Sequence, residues 1–350
     1  MRVARFYGGH DMRVEDAPDP TPGAGEVLVR VGAAGVCGSD LHDYRAGPSL
    51  HRAYPYTGGH ELAGTVAAVG TGVAALRVGD RVAIEPLHLL ACGQCRWCRA
   101  GQPEACPERG VVNGVRRHST GFAELDVAPE RSCLPLPDDV ALEAGAILDV
   151  YACAVHAAQR VPATPADTVA VIGTGPIGLA AIEMYRALGV RQVVACGRRD
   201  EALEVARSLG ADALVNVARD DVVAAIHDLT DGAGADVVIE AVGGASSDLS
   251  RALALVAPNG ALGILGLFDG PQALDLDEAM SRQVRIAWIN SYGTWGGVRE
   301  FEIALRMVCA GRFHPHTMIT HRFPLEAIGD AFAAAADKGA SGATKVIVMP

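Results

Sequence analysis

Four cysteines fall within a single short loop. Cys92, Cys95, Cys98 and Cys106 read C-x2-C-x2-C-x7-C. Thiolates at such spacing match a closed, four-coordinate structural zinc site. Gly93, Gly101 and Pro103 supply the turns that bend a loop round an ion. A zinc module made for nucleic acid would need a basic surround. Arg96 and Arg99 are present here, but so are Glu104 and Glu108.

A second set of metal-binding side chains is dispersed. One thiol lies in the stretch GVCGSDLH, as Cys37, with Ser39, Asp40 and His42 beside it. An imidazole and a carboxylate lie in GGHE, as His60 and Glu61. A catalytic zinc site takes about three protein ligands and keeps one position open. Spacing alone does not show whether these pieces meet.

The third set is glycine. VAVIGTGPIGLA carries Gly173, Gly175 and Gly178 as G-x-G-x-x-G, with Pro176 and Ile177 between the last two. The motif follows an apolar run and opens a helical one. There the first glycine makes a tight turn, the second admits a pyrophosphate, and the third lets helix and strand pack. The next apolar run ends VVACGRR. An enzyme using NAD places Asp or Glu at that end for the ribose hydroxyls. This chain has Gly197 there, then Arg198 and Arg199. Glycine removes a carboxylate that would repel a 2′-phosphate, and arginine offers that phosphate a permanent, bidentate partner. NADP(H) is therefore expected in preference to NAD(H).

The elements that must position these residues fall into two patterns. Short β-branched runs with Gly and Pro punctuation occupy the first part, with strands expected at 27–31, 64–70 and 81–84. Past residue 155, apolar strands alternate with helices. Strands are expected at 168–172, 192–196, 236–239 and 261–265, and helices at 177–188 and 201–209. That alternation means a doubly wound parallel sheet of the α/β class. After residue 290 it stops. Helices are expected at 299–308 and 324–337, and a last strand at 345–349. The expected domains are 1–155, 156–290 and 291–350, the last returning to the first.

Bulk properties agree. A chain of 350 residues is long for one core and suits two domains. Its net charge of −11 argues against nucleic acid as a partner. Residues 1–20 lack a charged head followed by an apolar run, and no stretch approaches ~18 uncharged apolar residues. No signal peptide and no membrane span are expected, and the expected location is the cytoplasm. Cys133, Cys196 and Cys309 are expected to be small buried side chains. Tyr44, Tyr54, Tyr56, Tyr151 and Trp295 are candidates for pocket walls.

Taken together, GVCGSDLH, GGHELAGTV, the four-cysteine loop and the dinucleotide motif, in that order, resemble the zinc-containing branch of the medium-chain dehydrogenase/reductase family. The similarity runs over essentially the whole chain. It implies a GroES-like β-rich catalytic domain, interrupted by a Rossmann domain and resumed at the C-terminus. It also implies two zinc ions per chain, one catalytic and one structural, and a homodimer or homotetramer. By the same resemblance Cys37 and His60 are catalytic zinc ligands, and Glu61 is the carboxylate beside the metal. Asp40 orients the ligating histidine. Ser39 and His42 form a proton relay through the nicotinamide ribose. The third ligand matches Asp149, where liver-type alcohol dehydrogenases carry Cys and sorbitol-type enzymes carry Glu followed by Pro. Asp149 is followed by Val150. Some bacterial NADP-linked secondary-alcohol dehydrogenases share the Asp but lack the four-cysteine loop. Cys153, the rival thiol, would by register line the nicotinamide pocket. The implied reaction moves hydride between NADP(H) and a secondary alcohol or ketone, such as a polyol or vicinal diol. The alternatives are a biosynthetic ketone reductase using NADPH and a catalytically idle NADPH-binding relative.

Overall fold

The structure is a computed structural model. It describes residues 1–45, 54–112, 115–116, 120–245 and 249–350, with only the backbone at 111–112 and 115–116. The chain divides into two compact units. One comprises Met1–Asp149 with Ile319–Pro350, and the other Val150–Met318.

The first unit is built on a seven-stranded sheet. Its path runs Ile319–Pro324, Lys345–Met349, Glu26–Gly35, Glu61–Val69, Arg81–Ile84 and Cys133–Pro135. Leu125–Pro129 pairs with the first half of Glu26–Gly35. That long strand alternates inward valines (Val27, Val29, Val31) with less buried residues, as a half-covered antiparallel strand must. The C-terminal segment completes the unit's core. Phe332 meets Phe6 edge-on at 5.2 Å and Phe122 at 5.5 Å. The helix expected over 324–337 is shorter. Pro324 ends a strand, Leu325–Ala327 forms a 3-10 turn, and the helix runs Ile328–Ala336.

The second unit holds six parallel strands in the order Ala213–Asn216, Gln192–Gly197, Thr168–Ile172, Ala235–Glu240, Val256–Ile264, Arg285–Trp288. Strand Thr168–Ile172 is central and fully buried, hence its unbroken apolar run. Chain order leaves it in one direction, then restarts on its other side with Ala235–Glu240. That reversal is a topological switch point, where doubly wound sheets bind ligands at the carboxyl ends of their strands.

The unit boundaries fall at 149/150 and 318/319, where 155/156 and 290/291 were expected. Residues 291–318 stay with the second unit for a physical reason. Glu300, fully buried at the start of helix Glu300–Cys309, accepts the Gly293 N–H at 2.6 Å and lies 2.9 Å from His156 Nδ1. Tyr151 stacks on Phe313 at 4.4 Å. Cys309, expected to be buried, is exposed at the end of that helix, whereas Cys133 and Cys196 are buried.

One buried carboxyl in the first unit carries a pH prediction. Asp126 Oδ1 accepts the Thr120 hydroxyl and the Val127 N–H, while Oδ2 has no hydrogen-bond partner among the described residues. Burial pushes its pKa up to about 6. The unfolded carboxyl titrates lower, so the folded chain holds an extra proton between the two values. Stability therefore falls as pH rises through that window. Asp126→Asn keeps the acceptor and removes the charge. It should raise the urea midpoint at pH 8, by at most about 3 kcal/mol of stability, and have little effect at pH 4. An equal effect at both pH values would show that the carboxyl does not titrate as described.

Candidate metal and cofactor sites

Cys37 ends the turn after strand Glu26–Gly35, just before helix Gly38–Arg45. His60 immediately precedes strand Glu61–Val69, and Glu61 opens it. The two strands pair in register, Gly35 against Glu61. Pairing therefore delivers the three side chains to one place. One ligand atom from each of Cys37, His60 and Glu61 lies within 4.8 Å of the others. Thiolate, imidazole and carboxylate at that separation fit a divalent metal such as zinc.

The surroundings are charged and partly buried. Asp40 is buried, and its Oδ2 accepts the Cys37 N–H at 2.9 Å. Its Oδ1 lies 3.8 Å from His60 Nδ1, too long for a hydrogen bond. Burial raises the Asp40 carboxyl's proton affinity, with His60 opposing. Desolvation lowers the proton affinity of His60. The charges of Cys37, Asp40 and Asp149 outweigh it and hold the imidazole well above its ordinary value. Asp149 thus acts on His60 electrostatically, although it stands outside the group of three whose ligand atoms converge. Cys153 belongs to the second unit. Ser39 and His42 stand three residues apart on helix Gly38–Arg45, which puts them on one face.

One residue here had no motif to announce it. Lys345, on the last strand, is buried and pairs its ammonium with Glu61 Oε2. The same ammonium donates to the Val36 carbonyl at 2.9 Å. Glu61 Oε1 has no hydrogen-bond partner among the described residues. Burial lowers the Lys345 proton affinity, but the negative charges of Glu61 and Cys37 more than offset it.

The four-cysteine loop closes on itself. All four sulfurs lie within 4.8 Å of one another. Sγ of Cys98 is 3.9 Å from that of Cys92 and 3.5 Å from that of Cys95. A tetrahedron with metal–sulfur distances of about 2.3 Å has edges of about 3.8 Å. Backbone N–H groups point at the sulfurs. Cys95 N–H donates to Cys92, Cys98 N–H to Cys95, and Cys92 N–H to Cys106. Donation from Gln94 and Cys95 holds the Cys92 thiol down at about 7, while burial pushes Cys98 up to about 12.

In the second unit, Gly173 takes a left-handed φ of 105° and donates its N–H to the Cys196 carbonyl. A Cβ on Gly178 would stand 1.8 Å from the Gly173 carbonyl oxygen, so helix and strand pack only with glycine there. A Cβ on Gly175 would meet nothing within 4 Å. Open space thus faces the N-terminus of helix Pro176–Ala187, whose free N–H groups suit a phosphate. Pro176 takes the first helical position, and Ile177 is half-buried. Gly197 ends its strand, buried. Arg198 is exposed and makes no hydrogen bond or ion pair among the described residues, and Arg199 is half-buried. Arg219 joins this end of the sheet through Asp200, at 2.8 Å. Of the aromatic candidates, Tyr56 is core, stacked on Phe6 at 4.9 Å, and Tyr44 packs on Phe332. Tyr151 is buried and donates to Glu183 at 2.8 Å.

Comparison with known proteins identifies the family. Residues 23–138 match the alcohol dehydrogenase GroES-like domain, and residues 176–309 the zinc-binding dehydrogenase domain. Sorbitol dehydrogenase of Bacillus subtilis is 30% identical over 95% of this chain and 92% of its own length. The solved short chain alcohol dehydrogenase of Escherichia coli CFT073, complexed with NADH, superposes with a TM-score of 0.88 at 29% identity, over 100% of this chain and 99% of that one. A putative zinc-binding dehydrogenase of Sinorhizobium meliloti 1021, bound to NADP, superposes with a TM-score of 0.87 at 28% identity, again over 100% and 99%. The chain belongs to the zinc-type alcohol dehydrogenases of the medium-chain dehydrogenase/reductase family and is an oxidoreductase acting on CH–OH groups.

Proposed function

We propose that this enzyme interconverts a hydroxylated secondary alcohol, a polyol or vicinal diol, and its ketone, with NADP(H) as the hydride partner. The observation that carries the reading is the convergence of Cys37, His60 and Glu61 within 4.8 Å. These three, with Asp149 beside them, would hold the catalytic zinc. Cys92, Cys95, Cys98 and Cys106 would hold a structural one, giving two per chain. A zinc held there would supply Lewis acidity toward the substrate oxygen. The nicotinamide supplies the hydride chemistry.

The protein's part is placement and proton handling. Asp40 fixes the Cys37 turn through its N–H and sets a negative charge beside His60. Ser39 takes the proton released by the alcohol, and His42, on the same helix face, passes it toward solvent. Gly173, Gly175 and Gly178 admit the pyrophosphate, with Pro176 and Ile177 opening the helix behind it. Gly197 withholds a carboxylate from the ribose, and Arg198 and Arg199 receive the 2′-phosphate. Of the two neighbours compared above, one carries NADH and the other NADP, so the fold alone does not decide the cofactor. Assembly as a homodimer or homotetramer and a cytoplasmic location complete the proposal.

The polyol and diol class is supported by sorbitol dehydrogenase of Bacillus subtilis among the relatives. A ketone reductase running toward the alcohol uses the same groups in reverse. Initial rates with NADP+ over a panel of polyols, vicinal diols and simple secondary alcohols test the substrate class. Chelator controls and metal analysis accompany them. Preference for diols or polyols by an order of magnitude supports the reading, and activity only on simple or bulky alcohols defeats it. Arg198→Ala should raise KM for NADP+ about tenfold or more, the scale of one lost hydrogen bond to a charged group, and leave KM for NAD+ nearly unchanged. Equal changes for both cofactors would remove the phosphate role from Arg198.

A further inference from the structure

Thr174 is the variable residue of the G-x-G turn and is 9% exposed. Its hydroxyl makes no hydrogen bond among the described residues. It stands against Gly197, because the Gly173 N–H to Cys196 carbonyl bond ties the two strand ends together at 2.8 Å. A Cβ on Gly197 would lie 2.6 Å from Thr174 Oγ1 and 2.8 Å from Thr174 Cγ2, with Leu203 Cδ2 behind at 3.2 Å. Both branches of the threonine are therefore in the way. Rotation about χ1 turns only one of them aside, and β-branched side chains are stiff there. Any side chain at 197, including the acid that would bind ribose hydroxyls, has to start from occupied space.

We propose that Thr174 is a second determinant of cofactor choice. It fills the volume from which a carboxylate at 197 would reach the ribose, and it presents an unpaired hydroxyl to that volume. Selection at the 2′ position is thus set jointly by residues 174 and 197, and not by the charge at 197 alone. The proposal rests on the NADP(H) reading of this site, which a separate arm of the experiment checks.

The test compares Gly197→Asp, Thr174→Ala and the double variant by calorimetry with NAD+ and NADP+, and by melting without ligand. Gly197→Asp alone should bind NAD+ no more tightly than the wild type and should melt lower. The double variant should bind NAD+ at least about tenfold more tightly than Gly197→Asp and recover its melting temperature. Gly197→Ala places only the offending Cβ, without charge, and guards against a single variant that does not fold. It too should melt below the wild type and be rescued by Thr174→Ala. The proposal is overturned if Gly197→Asp matches the double variant in NAD+ affinity, or if Gly197→Ala melts with the wild type. The cofactor reading is judged apart, by 2′,5′-ADP against 5′-AMP on the wild type. Equal affinity there defeats NADP(H) preference, while the NAD+ and melting arms still decide the role of Thr174.

Discussion

Cys37→Ala and His60→Ala should each lower kcat by at least about three orders of magnitude and reduce bound zinc from two to one per chain. The metal's electrostatic help in such reactions is worth several kcal/mol, and each 1.36 kcal/mol is a factor of ten in rate. Each substitution removes one of the three converging ligands. Of what remains, Glu61 is already paired with Lys345, and one imidazole or thiolate with Asp149 is too few to hold a metal with an open position. The cofactor site lies in the other unit, so calorimetric cofactor affinity should stay near that of the wild type. That separates loss of chemistry from loss of fold. Turnover within tenfold of the wild type, with two zincs still bound, would mean that the catalytic metal lies elsewhere. Loss of cofactor binding along with activity would point to a folding defect in place of a missing ligand.

Lys345→Met should destabilise the first unit by about 3–5 kcal/mol, the usual cost of removing one member of a buried ion pair. Methionine nearly preserves the aliphatic stem, so packing loss is small. The cost comes from Glu61, left with its charge buried and its compensating ammonium gone. Gly35 makes the pair possible, since a Cβ there would overlap Glu61 Oε2. The check is a double-mutant cycle by urea unfolding. Lys345→Met with Glu61→Gln should be more stable than Lys345→Met alone, because the stranded charge is removed. Additive losses would indicate that the two side chains act independently.

Much of the fold was legible because the sequence pattern is locally consistent. Strands Arg81–Ile84, Thr168–Ile172 and Lys345–Met349 lie where their apolar runs put them. The dinucleotide turn was legible because each glycine answers a local steric demand, as the 1.8 Å approach at Gly178 shows. What escaped depends on partners far along the chain. Helix Glu300–Cys309 is amphipathic and would suit either unit. Its allegiance is set by Glu300 meeting His156, 144 residues earlier. Lys345 reads as an ordinary strand lysine until the sheet lays it against Glu61. Its signal was slight, one cation in a strand otherwise of valine, isoleucine and methionine. Cys309 ends a helix whose last turn faces solvent, which composition does not reveal. Convergence of the metal ligands followed from strand register, Gly35 against Glu61, and register is not written in any single segment.

Strand Lys345–Met349 sits between Ile319–Pro324 and Glu26–Gly35, although Glu26–Gly35 precedes both of the others by most of the chain. At ribosomal speeds of about 5–20 residues per second, the interval is on the order of tens of seconds. Over that time Ala34 and Gly35, at the end of Glu26–Gly35, keep an open edge, and Glu61 waits for its ammonium. The unit of Val150–Met318 is contiguous and emerges whole during the wait. The nascent chain therefore carries one finished domain attached to one with an unpaired strand, the kind of edge on which chains aggregate. Conditions that slow translation lengthen that exposure, and added chaperone during expression should raise the soluble yield.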